Sequence, residues 1–265
     1  MKKSASTGQK NRKSLGKFDG LPLIVILVLV LFWQLAATLG EVAPYILPTP
    51  VMIIKALYQE RTLLFSHALV TLGEALAGFG LSVLGGLLLG MLMGFYSSLR
   101  RALYPLFVIS QTVPLVILTP LFAIWFGFGL LPKILIVMLV CFFPIAVTFT
   151  QGLLQADEDM DALLQVMGAS RWKSFILVRV PQALPGLFSG LKIAATYSIM
   201  GAVISEWVGA QKGLGIFMTR AMTTFKTAAL FADVLVIVVL SLGLYKLIEV
   251  IEKKLTVNMN YQKER

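Results

Sequence analysis

An all-α, polytopic membrane protein with about six spanning helices is the fold that the sequence predicts, on three observations. Hydrophobic residues make up 58% of the 265-residue chain and charged residues only 14%, against a soluble norm of about 25% charged. Apolar runs long enough to cross a hydrocarbon core, about 20 residues each, occur near 21–39, 67–95, 104–126, 132–153, 184–208 and 228–250. These runs also lack the polar outer stripe that amphipathic helices of soluble proteins carry.

Residues 1–18 are basic and rich in Ser, Lys and Gly, and are expected to be a disordered head. The apolar run that follows is long and ends without a small-residue cleavage site, so it reads as an uncleaved first span rather than a signal peptide. It opens a transmembrane domain over 19–255, and 256–265 form a tail. Between the first two spans, ILPTP (46–50) is extended, because each proline biases its predecessor away from helix. VMIIKALYQ (51–59) then reads as a short amphipathic helix at the membrane interface.

The second span carries Gly78, Ser82, Gly86, Gly90 and Gly94 at four-residue spacing, with Glu74 one step before them. In the fifth, Gly186, Gly190, Ala194, Ser198 and Ala202 recur likewise, and Glu206 is the next step. Small residues along one helix face let another backbone approach closely. Helix packing accounts for them, and a translocation surface that opens along the seam is the sharper reading. An ionisable group in a span is costly and faces protein or water. Glu74 and Glu206 are therefore read either as residues snorkelling at helix ends or as parts of an outer gate. Lys192 is expected to snorkel to headgroups. In the third span, Ser110, Gln111, Thr112, Pro114, Thr119 and Pro120 leave backbone groups to be satisfied by neighbours or water, and both kinking and a solute path account for them. Glu74, Gln111, Ser198 and Glu206 are the candidate pathway or gate residues. Trp125, near the end of that span, has the position of an interfacial anchor.

Orientation follows from the lysines and arginines. With the head inside, sixteen fall on inner segments and six on outer loops, although the last outer loop, with Lys212, Arg220 and Lys226, runs against the trend. Both termini and the insert at 157–185 are thereby expected in the cytoplasm. The net charge of +10 is concentrated at those inner flanks, where it meets anionic headgroups of the bilayer, so nucleic acid is not the expected partner. His67 and Cys141 are the only residues of their types, which leaves no intrachain disulfide, metal site or nucleophile–base pair to assemble. Gly16-Lys17 is followed by Phe18 and lacks the upstream glycine of a phosphate-binding loop. No cofactor is expected in this chain, and ATP-driven work would need another polypeptide.

The insert DEDMDALLQVMGASRWKSFILVRVPQALP (157–185) reads as two short helices. Asp157, Glu158, Asp159 and Asp161 crowd the first turn of one, where negative charge suits the helix dipole. Gly168 can end it in a left-handed conformation. Ser170 can cap the next, which runs through Trp172 and Phe175 until Pro181 interrupts it. The segment GASRWKSFILVRVP resembles the cytoplasmic loop of permease subunits in ATP-binding-cassette importers. It departs from that pattern in having Ala162, Leu163 and Leu164 where the family often has Glu-Ala-Ala, with the acid one place earlier at Asp161. ILPTP, PLFAIWFGFG (120–129) and SEWVGAQKGLG (205–215) resemble the branch for alkanesulfonates, taurine, nitrate and thiamine-precursor pyrimidines.

The resemblance implies a non-catalytic permease in the cell inner membrane. Its partners would be two ATPase subunits, a second copy of the chain and an extracytoplasmic substrate-binding protein. It assigns the ATPase-coupling element to Asp161, Ala162, Leu163, Val166, Gly168, Ala169, Ser170, Arg171 and Pro181. EWVGAQKGLG followed by LFADVLV looks most like the pyrimidine permeases, with sulfonate, taurine or nitrate transport as the alternative. An ion-coupled secondary transporter is the rival class, and it would normally show paired repeats and coupling carboxylates. A membrane-embedded enzyme lacks the side chains for chemistry.

Overall fold

The computed structural model describes residues 20–263, with side chains as far as Leu255. The expected disordered head, 1–18, and the side chains of the tail, 256–265, lie outside the described residues. The chain runs through α1 (Leu21–Leu39), α2 (Pro50–Gln59), α3 (Arg61–Phe95), α4 (Ser97–Ser110), α5 (Leu115–Phe126), α6 (Leu130–Leu154), α7 (Glu158–Val166), α8 (Arg171–Ser174), α9 (Val180–Glu206), α10 (Leu214–Thr223) and α11 (Thr227–Lys263). No strand occurs among the described residues. Among the described residues, five helices are long and apolar enough to cross a membrane, or six if α4 and α5 together make one broken span.

The centre of the fold is α6, held between α3 and α9. Both small-residue stripes face it. A Cβ on Gly86 would lie 2.8 Å from Ile145 Cγ2, one on Gly90 2.8 Å from Phe149 Cδ1, and one on Gly94 2.5 Å from Leu153 Cδ1. On the other side, a Cβ on Gly186 would lie 2.9 Å from the Thr148 carbonyl oxygen, and one on Gly190 2.8 Å from that of Pro144. Polar atoms stitch the same seams: Ser82 Oγ donates to the Met138 carbonyl at 2.8 Å, and Cys141 Sγ to that of Ala194 at 3.2 Å. The large side chains of α6 that fill the space left by the glycines, Ile145, Phe149 and Leu153, are at most 1% exposed. Packing within one chain therefore occupies the face that the opening-surface reading required.

Three expectations need correction. The third span, placed near 104–126, is not a kinked helix but two helices bent by 100° at Gln111–Pro114. Pro114 lacks an N–H and disfavours helix in the residue before it. Pro181 does not interrupt the helix after Ser170. A π-helical stretch, Phe175–Arg179, with Val180 N–H donating to the Phe175 carbonyl, joins α8 to α9. Its wider turn accommodates the proline, giving one apolar element from Arg171 to Glu206. Lys192 does not reach for headgroups but pairs with Glu252 of α11 at 2.9 Å. The amphipathic α2 forms as expected, capped by Thr49 Oγ1, which accepts from Met52 N–H, with Ile53 and Ala56 buried.

Replacing Gly190 by Leu is expected to destabilise the detergent-solubilised protein by about 1–3 kcal/mol, the usual cost of overpacking. Gly80→Ala, where a Cβ meets nothing within 4 Å, should leave stability unchanged or slightly raised. Thermal unfolding followed by size-exclusion chromatography compares the two variants.

Candidate functional site

Two polar constructions lie at opposite ends of the α3–α6–α9 block. At one end α7 and α8 fold back on the bundle. Asp157 Oδ1 caps α7, accepting from the N–H groups of Asp159 and Met160, and Asp157 N–H donates to Gln182 of α9 at 2.8 Å. Gly168 ends α7 with φ +86°. Its N–H donates to the Gln165 carbonyl and that of Ala169 to the Leu164 carbonyl, both at 3.0 Å, the paired closure of a Schellman motif. Ser170 Oγ then caps α8, accepting from Lys173 N–H at 3.3 Å.

Asp161 pins the two pieces together. Ser174 Oγ donates to its Oδ1, and Arg179 donates to Oδ2 through Nη2 at 2.6 Å and Nε at 3.1 Å. Burial alone would raise the Asp161 pKa, but the Ser174 hydroxyl and the Arg179 guanidinium outweigh it and hold the carboxyl below its usual range. Phe95, at the end of α3, meets Trp172 and Phe175 edge-on at 5.2 and 5.3 Å, with the Arg171 guanidinium 5.2 Å from its ring centroid. This leaves Ala162, Leu163, Val166 and Met167 outward, Val166 at 87% exposure. The loop is thus tied down by its polar residues and presents its apolar ones, the pattern of an interaction surface. Of the nine residues expected to couple, Asp161, Gly168, Ser170 and Arg171 serve the loop's own geometry, Leu163 and Val166 are its exposed tip, and Pro181 lies in the first turn of α9.

At the opposite end, His67, Thr71 and Glu74 share one face of α3. Glu206, at the end of α9, is fully buried, and Glu74 is 3% exposed, so neither snorkels. Glu74 pairs with Lys133 of α6 at 2.6 Å. Glu206 Oε1 accepts from Thr71 Oγ1 at 2.7 Å and Oε2 from Gly215 N–H at 2.6 Å. Thr71 Oγ1 also accepts from Leu214 N–H, and His67 Nδ1 from Gly213 N–H, both at 2.8 Å. The N-terminus of α10 is thereby capped from two other helices, with a carboxylate where the helix dipole favours one. Gly213 permits this with φ +130°, because a Cβ there would overlap the Glu206 carboxylate. Lys133, His67 and Thr71 are parts of this cluster that pattern reading passed over.

The remaining pathway candidates separate. Ser198 is buried on the α6 side of α9 and donates to the Ala195 carbonyl. Gln111 is exposed at the α4–α5 break, beside a cleft of about 430 Å³ lined also by Pro144, Tyr197 and Met200. A second cleft of about 340 Å³ lies further toward α7, lined by Thr148, Gln151, Gln155, Gln182 and Ser189. Asp233, in α11, is a buried carboxylate whose two oxygens have no hydrogen-bond partner among the described residues. Only its acidity within the apolar run LFADVLV signalled it.

Spanning helices about a close-packed centre, with a pinned loop that offers an apolar tip, define a membrane transport subunit. Residues 86–257 match the family described as binding-protein-dependent transport system inner membrane component, and the chain belongs to it. The formylaminopyrimidine transport permease protein ThiX of Halalkalibacterium halodurans is 36% identical over 83% of this chain and 88% of its own. The riboflavin transport system permease protein RibX of Chloroflexus aurantiacus is 34% identical over 92% of each chain. The putative aliphatic sulfonates transport permease protein SsuC of Bacillus subtilis is 30% identical over 92% of this chain and 88% of its own. In fold, the chain resembles a chain of the inward-facing MetNI methionine ABC transporter, with TM-score 0.65 and 20% identity over 74% of this chain and 97% of that one. The protein is a non-catalytic, multi-pass permease subunit of an ATP-binding-cassette importer, whose ATPase is a separate chain.

Asp161→Asn is expected to lower the hydrogen-exchange protection of α7 on the order of ten-fold at pH 7, since bonds to a charged group are worth about 1.5–3 kcal/mol. The folded-state pKa of Asp161 is depressed, so its contribution is full at neutral pH and lost as pH falls through that depressed value. The difference between wild type and variant should begin to shrink only below about pH 4, the unfolded carboxyl's range, and close once pH lies below the depressed folded value.

Proposed function

We propose that this chain carries a thiamine-precursor pyrimidine across the cell membrane as one of two identical permease subunits. Two ATPase subunits bind beneath the pair, and a substrate-binding protein delivers cargo from outside. In this reading both termini and the α7–α8 loop are cytoplasmic, in line with the distribution of Lys and Arg. The α7 tip enters a cleft of the ATPase, so that closure of the ATPase dimer moves α8 and, through the continuous element from Arg171 to Glu206, the opposite end of the bundle. The observation that carries this reading is the exposed apolar tip on a loop pinned from within by Asp161, Ser174 and Arg179. The pyrimidine rests on the higher identity to the formylaminopyrimidine permease, 36%, than to the sulfonate permease, 30%. The α10 turn, held by Glu206, lies at the end where the binding protein would dock.

Reconstitution with the ATPase and binding protein encoded beside this chain tests the substrate. ATP-dependent uptake of formylaminopyrimidine, and not of taurine, is expected, and the reverse preference would overturn the assignment. Gly168→Val tests the coupling. A Cβ at Gly168 meets nothing within 4 Å, so its cost is conformational, at φ +86°, and amounts to about 1–2 kcal/mol. Membrane insertion should be normal and ATPase association weaker by about ten-fold, with uptake falling in parallel. Wild-type uptake in this variant would remove α7 from the coupling role.

A further inference from the structure

The break between α4 and α5 sets non-helical backbone, Gln111–Pro114, beside the middle of α6 and α9, where Val140, Pro144 and Tyr197 line the same cleft. Irregular backbone at membrane depth persists only where protein buries it or water reaches it, and Gln111 is exposed. Neither its carboxamide nor the Tyr197 hydroxyl has a hydrogen-bond partner among the described residues. Toward α7 the same seam of α6 and α9 continues into the cleft of Gln151, Gln155 and Gln182. Among the described residues, no Asp, Glu, Lys, Arg or His lines either cleft. The larger groove on the other flank of α6, about 680 Å³, is apolar apart from Ser110 and offers a polar solute nothing.

We propose that the Gln111–Tyr197 cleft is a transit site for a neutral, planar nitrogen heterocycle, and that the glutamine-lined cleft is its continuation toward the ATPase side. This rests on the importer reading and extends it to the membrane subunit itself. A carboxamide presents a donor and an acceptor side by side, matching the ring nitrogen and exocyclic amine of an aminopyrimidine. The Tyr197 ring supplies a flat apolar wall with a polar edge. A sulfonate or nitrate would instead call for charged or multiple donors, and the site provides no cation. The second copy of the chain would close the open side, so that each copy contributes half of the passage.

The test is thiol labelling of Gln111→Cys, in a Cys141→Ser background, within the assembled transporter in lipid nanodiscs. A small charged methanethiosulfonate should label it at least ten-fold faster than Leu84→Cys, an exposed apolar position of α3. Millimolar formylaminopyrimidine should slow that labelling at least three-fold, and methanesulfonate should not. Labelling no faster than at Leu84→Cys would overturn the site. So would labelling slowed by neither compound, or slowed by methanesulfonate alone. Gln111→Leu should lower formylaminopyrimidine uptake at least ten-fold while binding-protein-stimulated ATP hydrolysis persists, and unchanged uptake would contradict the site independently. ATP-driven uptake by the unaltered transporter is measured alongside. Its absence would sink the importer reading, whereas the labelling results decide the site on their own.

Discussion

Close backbone approach of α3 and α9 to α6 is the constraint from which the other features follow. Glycines on the outer two helices receive Val137, Ile145, Phe149 and Leu153 of the middle one, and Thr148 and Pro144 lie against Gly186 and Gly190. Parting such seams is costly, because a gap of about 0.5–1 Å already forfeits a quarter to a half of each contact. The three helices are therefore packed as one block. Both polar constructions are built on the ends of that block, the α7–α8 loop on α3 and α9 at one end and the α10 turn on α3 and α9 at the other. In the proposed coupling, a displacement imposed at the first would reach the second along the continuous element from Arg171 to Glu206. The bent pair α4–α5 packs against that block less extensively.

The buried charges fit that division. Glu206 and Glu74 do not face an opening within this chain. They fix the α10 turn and join α3 to α6 through Lys133. Asp161 likewise spends its charge inside the loop, on Ser174 and Arg179. The surfaces proposed for the ATPase and for cargo are uncharged: the apolar tip at Leu163 and Val166, and the carboxamide and hydroxyl groups along the α6–α9 seam.

Much of this was legible in the sequence, for identifiable reasons. Apolar run length marked about six spans, five of which are single helices and one the bent pair α4–α5, since crossing a bilayer leaves few alternatives to a long helix. Gly168 and Ser170 were readable as stop and cap because those tasks are local and depend on few residues. The small-residue stripes announced close approach, but period alone cannot name the partner helix, and it was α6 of the same chain. The break at Gln111–Pro114 read as a kink, since one proline signals either and neighbouring packing decides. Pro181 read as an interruption because a π-helical turn has no sequence signature of its own. Glu206 with Thr71, and Glu74 with Lys133, join residues 135 and 59 positions apart. Lys192 found Glu252 across 60. Pairings of that range depend on which helices neighbour one another, which no single segment encodes.

The account stands or falls on what covers the α7 tip. The direct measurement is the rate of maleimide labelling of Val166→Cys in permease alone and in permease assembled with its ATPase. Assembly is predicted to suppress labelling at least ten-fold, while Leu84→Cys on the far flank keeps its rate. Equal labelling of Val166→Cys in the two preparations would contradict it, leaving the exposed apolar tip without its assigned partner and the rigid block without its drive.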